Sequence, residues 1–173
     1  MSAIPFHLRP SVSNMNIWYP DRAKSPQWAK IRLAVLERDN YTCTTCGHRA
    51  MKWMHAHHLE DGENNSLENL VTLCPACHAV MHLGLNMQYG ALEVWKSELS
   101  QVEIVRVTRQ GIREGKSLQE INGTLPLKRG RRAPDSVEWA NALLKSMEAE
   151  PRAELPEPLC AVFVNFTKWQ IEA

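Results

Sequence analysis

The sequence predicts a small α+β module that is stabilised by zinc and carries mainly helical extensions. Two C-x-x-C pairs, at 43–46 and 74–77, can supply four cysteines to one site. Short strand-like segments lie between the two pairs, and segments with helical spacing of apolar residues precede and follow them. A chain of 173 residues has room for one compact module with such extensions.

The elements before the first cysteine pair are predicted from prolines and caps. Residues 1–26 contain four prolines and little periodicity, which predicts an irregular N-terminal arm. Ser25 and Pro26 favour a helix start, because serine caps a helix and proline fits its first turn. This helix is predicted to end at Asp39-Asn40.

The central module is predicted to span residues 27–90. A strand is expected within 51–59, and a second short apolar segment at 71–73. Pro75 suits the first turn of a helix that is predicted to continue to about Leu83, where Gly84 can end it.

Residues 91–150 are predicted to form a helical, basic extension. Ala91 to about Arg113 is interpreted as one helix, Ser117 as the cap of a short helix, and Asp135 or Ser136 as the cap of another that ends near residue 149. Residues 151–173 are predicted to be a proline-rich linker and a C-terminal tail. The apolar end of that tail, at 159–171, is expected to pack back on the module, with a strand as one option.

Charge is unevenly distributed along a chain whose net charge is +1. Residues 1–40 carry six Lys/Arg against three Asp/Glu, and residues 101–134 carry eight against three. Basic segments suit a polyanion such as nucleic acid, although a solvated charged face would explain them as well. No apolar run approaches the roughly 20 residues that cross a bilayer, and the first residues lack a secretion signal. We therefore expect a cytoplasmic, soluble protein without membrane contact.

The paired cysteines predict a structural zinc ion. Each pair can form a tight knuckle that directs two sulfurs at one ion, and two knuckles complete the tetrahedron that zinc prefers. In a chain without a secretion signal the pattern favours metal ligation over disulfides. The predicted ligands are Cys43, Cys46, Cys74 and Cys77. Cys160 is left over and is interpreted as a buried, apolar-like residue.

Histidines between and after the cysteines predict a second site, which is functional rather than structural. His78 and His82 are four residues apart, so on a helix they share a face and can grip a divalent metal ion. Adjacent strand residues point to opposite faces. One of His57 and His58 can therefore close the metal site while the other faces a substrate. Asn69 lies between these pairs in the sequence.

Two stretches of the chain resemble the HNH endonuclease family. Residues 28–47, WAKIRLAVLERDNYTCTTCG, are similar to the first part of an HNH module, and residues 56–59 with 68–78, AHHL and ENLVTLCPACH, are similar to its core. The three letters of the family name fall on His58, Asn69 and His78. The resemblance implies a ββα-metal, treble-clef-like fold.

The chain departs from the family pattern in one place. Many members carry aspartate immediately before the first motif histidine, where this chain has His57. The His-His form, with a further histidine one helical turn after the last motif residue, is similar to the colicin-type DNases. Those enzymes lack the four-cysteine zinc, so this chain combines features of two variants.

The resemblance implies a metal-dependent endonuclease that hydrolyses phosphodiester bonds in DNA and leaves 5′-phosphate and 3′-hydroxyl ends. His58 would be the general base. His57 and His78, with His82 as the third ligand, would hold one divalent ion that offsets charge on the phosphate. Asn69 would brace the loop and orient His58, or would ligate the metal itself. Imidazole ligands favour Zn²⁺, Ni²⁺, Co²⁺ or Mn²⁺ over Mg²⁺ in affinity, and the sequence leaves the choice among Mg²⁺, Mn²⁺, Ni²⁺ and Zn²⁺ open.

Cations near the site are expected to contact double-stranded DNA. We predict contacts from Arg49, Lys52, Arg129, Arg131 and Arg132, although the basic run at 128–132 would equally suit a solvated linker. A second set recurs at three- or four-residue steps and is predicted to form one basic helical face: Arg106, Arg109, Arg113 and Lys116.

Two alternatives to a nuclease are compatible with the sequence. A non-catalytic zinc module that binds DNA or a protein would need the cysteines and the basic flanks but not the histidines. A hydrolase that acts on another substrate would not need the basic flanks. An origin in a phage or a bacterial mobile element would suit a nuclease.

Overall fold

The computed structural model describes residues 6–13, 25–60, 64–128, 142 and 152–171. These residues form small antiparallel sheets and five helices, which confirms the α+β class. None of the described helices is long and apolar enough to cross a membrane. The elements, in chain order, are β1 (Ser11–Ser13), α1 (Pro26–Arg38), β2 (His55–His58), β3 (Leu70–Leu73), α2 (Pro75–Met81), α3 (Leu83–Gln88), β4 (Leu92–Ser97), α4 (Gln101–Arg113), α5 (Leu118–Thr124), β5 (Leu127–Lys128), β6 (Arg152–Glu154) and β7 (Leu159–Phe163).

The centre of the fold is a ββα unit that consists of β2, β3 and α2. The two strands are antiparallel, with His57 opposite Val71. All four residues of β3 are buried, which explains the continuous apolar run in the sequence. Cys74 caps α2 and Pro75 occupies its first turn, so the predicted start of this helix is confirmed.

Helix α1 packs against this unit and is held there by hydrogen bonds of Arg38 and Asp39 with β3. Its N-cap is Ser25 and its C-cap is Asp39, as predicted. The guanidinium of Arg38 lies 2.7 Å from the carboxylate of Asp39 and also donates to the Leu70 carbonyl at 2.7 Å. The same carboxylate accepts the Thr72 backbone N–H at 2.9 Å. The end of α1 is therefore tied to β3 through satisfied charges.

A second sheet has the strand order β5-β4-β7 and corrects the prediction for residues 91–113. The predicted single helix is wrong in its first part, because β4 pairs along its length with β7. Leu92 and Val94 are buried, whereas Glu93 and Trp95 are partly exposed, which is the period of two that marks a strand. The helix begins only after Ser100, whose side chain forms a capping box with Glu103.

Strands also form inside the predicted arm and the predicted tail. β1 pairs with β6, so the prediction of an irregular arm is wrong at residues 11–13 and that of a linker is wrong at 152–154. Both strands are three residues long, which is too short for a periodic signal, and each depends on a partner far away in the sequence. The return of the tail onto the module is confirmed by β7. The helix predicted from residue 135 or 136 lies almost wholly outside the described residues.

Helix α2 ends two residues earlier than predicted. His82 has φ −119° and ψ 43° and separates α2 from α3, and Gly84 lies inside α3 instead of ending a helix. The hydroxyl of Ser11 donates to the Met81 carbonyl at 2.7 Å, so β1 satisfies the end of α2 from outside the helix. That contact could not be seen in the local sequence.

The close packing of α4 on α5 generates a stability prediction. A Cβ on Gly111 would lie 2.5 Å from Cγ1 of Ile121, whereas a Cβ on Gly123 would meet nothing within 4 Å. Alanine favours a helix by up to about 1 kcal/mol over glycine, but overpacking costs about 1–3 kcal/mol. We expect Gly111→Ala to lower the denaturation midpoint and Gly123→Ala to keep or raise it. Equal midpoints would contradict the close contact.

Two candidate metal centres on one ββα unit

The first centre is a buried cluster of four cysteines. Their sulfur atoms lie within 4.8 Å of one another, close enough to hold a metal ion. No disulfide joins them, and the other thiols hold the pKa of Cys43 well below its usual value by hydrogen bonding. A set of four such ligands fits zinc. The cluster consists of Cys43, Cys46, Cys74 and Cys77, as predicted.

The two knuckles come from different parts of the chain, and only the second belongs to the ββα unit. The first follows α1 and turns through Gly47, whose φ of 79° suits glycine. The Thr44 N–H of this knuckle donates to the Thr72 carbonyl at 2.9 Å. The second pair starts α2. The cluster therefore joins the end of α1 to the junction of β3 and α2.

Arg109 of α4 supports the cluster and corrects the predicted basic face. Its guanidinium donates to Cys74 Sγ at 3.1 Å and lies over the ring of Trp169 at 5.4 Å, and the residue is buried. Four thiolates more than offset the charge of a divalent ion, so a guanidinium donor stabilises them. Because the Arg109 guanidinium is bound to cysteine sulfur, the four cations of the predicted basic face are not all available to contact DNA.

The second centre gathers three histidines. Each of His57, His78 and His82 contributes one ring nitrogen, and these three nitrogens lie within 4.8 Å of one another. Their rings approach edge to face or tilted, with centroids 4.5–5.4 Å apart. Burial lowers the pKa of His57 and of His78 well below the usual value and that of His82 to about 4. At neutral pH these imidazoles are uncharged and have lone pairs to offer.

A fourth histidine, which the sequence analysis missed, packs against this group. His55 stacks on His78 with ring centroids 4.1 Å apart and planes 7° from parallel. It lies on β2 two residues before His57, so both side chains face the same side of the strand. That spacing was the signal that could have identified it.

His58 has different neighbours from His57. Its ring stacks on Trp28 of α1 at 5.3 Å, and its Nε2 lies 3.0 Å from Oδ1 of Asn65. The adjacent histidines of β2 are therefore held by different parts of the molecule. Trp28 and Asn65 are contacts that the sequence analysis did not assign to the site.

Asn69 spans the loop that leads from β2 to β3. Its Oδ1 accepts the Glu60 N–H at 3.0 Å and its Nδ2 donates to the Asn64 carbonyl at 2.8 Å. The residue is buried. These bonds hold both sides of the loop next to Asn65, the partner of His58.

Arg152 enters the histidine centre from β6. Its Nη1 lies 3.1 Å from Nε2 of His57, and its Nη2 donates to the Leu59 carbonyl. In the β1–β6 pair Arg152 is opposite Ser13, whose hydroxyl lies 3.2 Å from Nδ1 of His82. Because these residues are remote in the sequence, no motif indicated them.

A cleft of about 390 Å³ opens onto this centre. The side chains that line it include His55, His78, His82, Tyr89, Asn165 and Lys168. Burial is the main cause that lowers the pKa of His55 to about 4, and the positive charge of Lys168 lowers it further. The centre is therefore reachable from a cleft that has a cation on its wall.

The predicted DNA-contact residues do not all fall in the described part of the chain. Arg49 and Lys52 are exposed, and Arg49 donates to the Asn40 carbonyl at 3.1 Å. Arg129, Arg131 and Arg132 lie outside the described residues. The contact of any of them with DNA stays a prediction.

Comparison with known proteins gives two partial matches, and no protein-family model matches the chain. A 90-residue stretch is 31% identical to the Type 4 apparatus protein DotN of Legionella pneumophila and covers 50% of this chain and 42% of that protein. A 98-residue stretch is 30% identical to the Zorya protein ZorE of Escherichia coli and covers 54% of this chain and 25% of that protein. This chain thus spans less than half the length of either bacterial relative.

The cysteine centre leads to a prediction about folding. A structural zinc site contributes on the order of 10 kcal/mol, so Cys43→Ser should give unfolded or insoluble protein. Cys160→Ser is the matched control, because Cys160 is also buried but donates to the Trp95 carbonyl outside the cluster. We expect the control to fold with one zinc per chain, measured by elemental analysis. Folded wild-type protein without zinc would contradict this assignment.

Proposed function

We propose that the chain is a metal-dependent endonuclease of the HNH type that hydrolyses phosphodiester bonds in DNA. The observation that carries the proposal is the convergence of His57, His78 and His82, with His58 held separately beside them. The resemblance in the sequence assigns a ligand role to the first three and a general-base role to the last. It also implies 5′-phosphate and 3′-hydroxyl products.

The three histidines fit a divalent ion. They are neutral because burial disfavours the imidazolium form, and neutral imidazole is a ligand for Zn²⁺, Ni²⁺ and Mn²⁺. No carboxylate belongs to this group among the described residues. When bound, the ion would supply positive charge that offsets charge developing on a phosphate. Mg²⁺ is a weaker fit to three nitrogen ligands.

In this proposal His58 acts as the base. Asn65 Oδ1 accepts a hydrogen bond when Nε2 of His58 carries the proton, and in that tautomer the lone pair is on Nδ1. Stacking on Trp28 holds the plane of the ring. An imidazole oriented in this way can act as a general base toward water.

Asn69 acts as a positioning residue in this proposal. Its side chain links the Glu60 N–H to the Asn64 carbonyl, and Asn65 is next in the chain. Loss of the amide would therefore disturb the hydrogen bond of His58 without removing any ligand of the ion. The sequence leaves two roles open for Asn69, bracing the loop or ligating the metal, and this proposal assigns it the first.

The direct test is nicking of supercoiled plasmid by the purified zinc-containing protein with added Mn²⁺, Ni²⁺ or Mg²⁺. We expect nicking that depends on the added ion and leaves ends that a ligase can reseal. Ligase-competent ends require 5′-phosphate and 3′-hydroxyl groups. Absence of nicking with every ion would contradict the proposal.

The histidine variants should separate two roles. General-base catalysis supplies roughly 10²–10⁴-fold in rate, so His58→Ala should lose that much nicking at every ion concentration while its metal affinity is kept. His78→Ala should instead lose metal affinity, and excess Mn²⁺ or Ni²⁺ should restore part of its activity. If excess metal rescued His58→Ala as well, the roles of His57 and His58 would be exchanged.

A second candidate function is favoured by the contact of Arg152 with His57. A guanidinium has only donors, and a neutral imidazole has one lone-pair nitrogen. His57 can therefore serve Arg152 or a metal ion through Nε2, but not both at once. A chain in which this contact persists would be a non-catalytic zinc module that binds DNA or protein, and one relative is named as an apparatus protein.

Replacement of Arg152 measures this competition. Loss of a hydrogen bond to a charged group is worth about 1.5–3 kcal/mol, so Arg152→Met should bind Ni²⁺ at the histidine centre roughly tenfold tighter or more. Lys168→Met is the matched control, since Lys168 also adds positive charge near the centre and lines the cleft. Ni²⁺ affinity is measured by calorimetric titration of both variants. An equal gain in affinity would mean that only the loss of a nearby positive charge matters, and that Arg152 does not compete with the metal for His57.

A further inference from the structure

A basic cleft lies beside the first cysteine knuckle, on residues that the proposed chemistry does not use. It has a volume of about 330 Å³. Four arginines line it, and no carboxylate of the described residues does. The lining includes Gly47, Arg49, Arg106, Arg109, Gln110 and Arg113.

Three of these arginines are available to a ligand. Arg109 is bound to the cysteine sulfurs, whereas Arg49, Arg106 and Arg113 are exposed. Arg49 and Arg106 are anchored through Nε to the carbonyls of Asn40 and Cys46, at 3.1 Å each. Anchoring at Nε limits the freedom of the guanidinium groups, which lowers the entropy lost on binding. Guanidinium groups grouped in this way match the oxygens of phosphates.

An exposed tryptophan follows Arg49 in the same loop. Arg49 Nη2 lies 3.9 Å from Met51 Sδ, and Lys52 and Trp53 follow directly. Trp53 is 59% exposed, and its φ is 67°. A bulky side chain in the left-handed region is strained, and such strain tends to occur at binding sites. Residues 47–59 contain no aspartate or glutamate.

We propose that the basic cleft and Trp53 together bind single-stranded nucleic acid, with phosphates in the cleft and an unpaired base stacked on the indole. A basic groove with an aromatic platform is the combination that recognises single strands, because the faces of paired bases are hidden inside a duplex. The inference rests on the proposed function for its biological substrate, and it adds that this substrate has an unpaired stretch.

Binding is measured without added divalent ion, so that no cleavage is needed. The probes are an oligonucleotide of about 12 nucleotides, a length within the range that single-strand binding sites cover, and a blunt duplex of the same sequence. We expect the single strand to bind tighter and to quench tryptophan fluorescence. Trp53→Ala should weaken its binding roughly 5- to 150-fold, and Trp53→Phe should retain most of the affinity.

The charge variants test the cleft separately. Each lost phosphate contact should reduce the slope of log affinity against log salt by about 0.7, so Arg49→Gln with Arg113→Gln should flatten it. Lys96→Gln removes an exposed cation of β4 and should leave the slope unchanged. Zinc content and melting temperature check the fold of each variant. Trp53→Gly should melt at the wild-type temperature or higher, because glycine relieves the strain.

Some results would overturn the inference. Tighter binding of the duplex, or wild-type affinity of Trp53→Ala for the single strand, would do so. Altered self-association of Trp53→Ala with unchanged oligonucleotide binding would make the loop a protein contact instead. Oligonucleotide binding that persists in a protein unable to nick plasmid would leave this surface standing while the nuclease proposal failed.

Discussion

The four-cysteine cluster is the constraint on which the rest of the structure depends. It joins the knuckle that follows α1 to the first turn of α2, and the chain between them has to fold back as the β2–β3 pair. Arg109 and Trp169 extend the same tie to α4 and to the C-terminal segment. A zinc site worth on the order of 10 kcal/mol is comparable to the whole stability of a typical domain, about 5–15 kcal/mol. The cluster would therefore decide whether the other elements assemble at all.

The histidine centre depends on that scaffold. His57 lies on β2, and His78 and His82 lie in and after α2, so the strand-helix geometry that the cysteines set also determines the distances among the imidazoles. Burial keeps these rings neutral, which makes them competent ligands but leaves polar groups in the interior. Arg152 and Ser13 satisfy some of those groups from the β1–β6 pair. The scaffold that the cysteine cluster sets thus also positions the histidine centre, whose ligand chemistry is different.

The sequence predicted the features that depend on short-range chemistry. Ser25-Pro26 at the start of α1, the Cys74-Pro75 start of α2 and the Ser117 cap of α5 each have a local physical cause, and the structure has all three. The misses have long-range causes. The local pattern of residues 92–97 predicts a helix, because the partner strand β7 that makes them a strand lies about 65 residues away. Residue spacing predicts Arg109 on a basic face, because spacing carries no information about the buried sulfurs that the guanidinium contacts. Arg152 could not be assigned at all, since only the pairing of β6 with β1 brings it to His57.

Counting the metal ions held by the intact chain tests most directly the central proposal, that the cysteine cluster and the histidine group each hold one metal ion. Native mass spectrometry of the wild type with added Ni²⁺ should find one zinc and one nickel per chain. His78→Ala should retain the zinc and the fold but lose the nickel. A wild-type chain that never takes a second ion, or a His78→Ala variant that still takes it, would contradict the account.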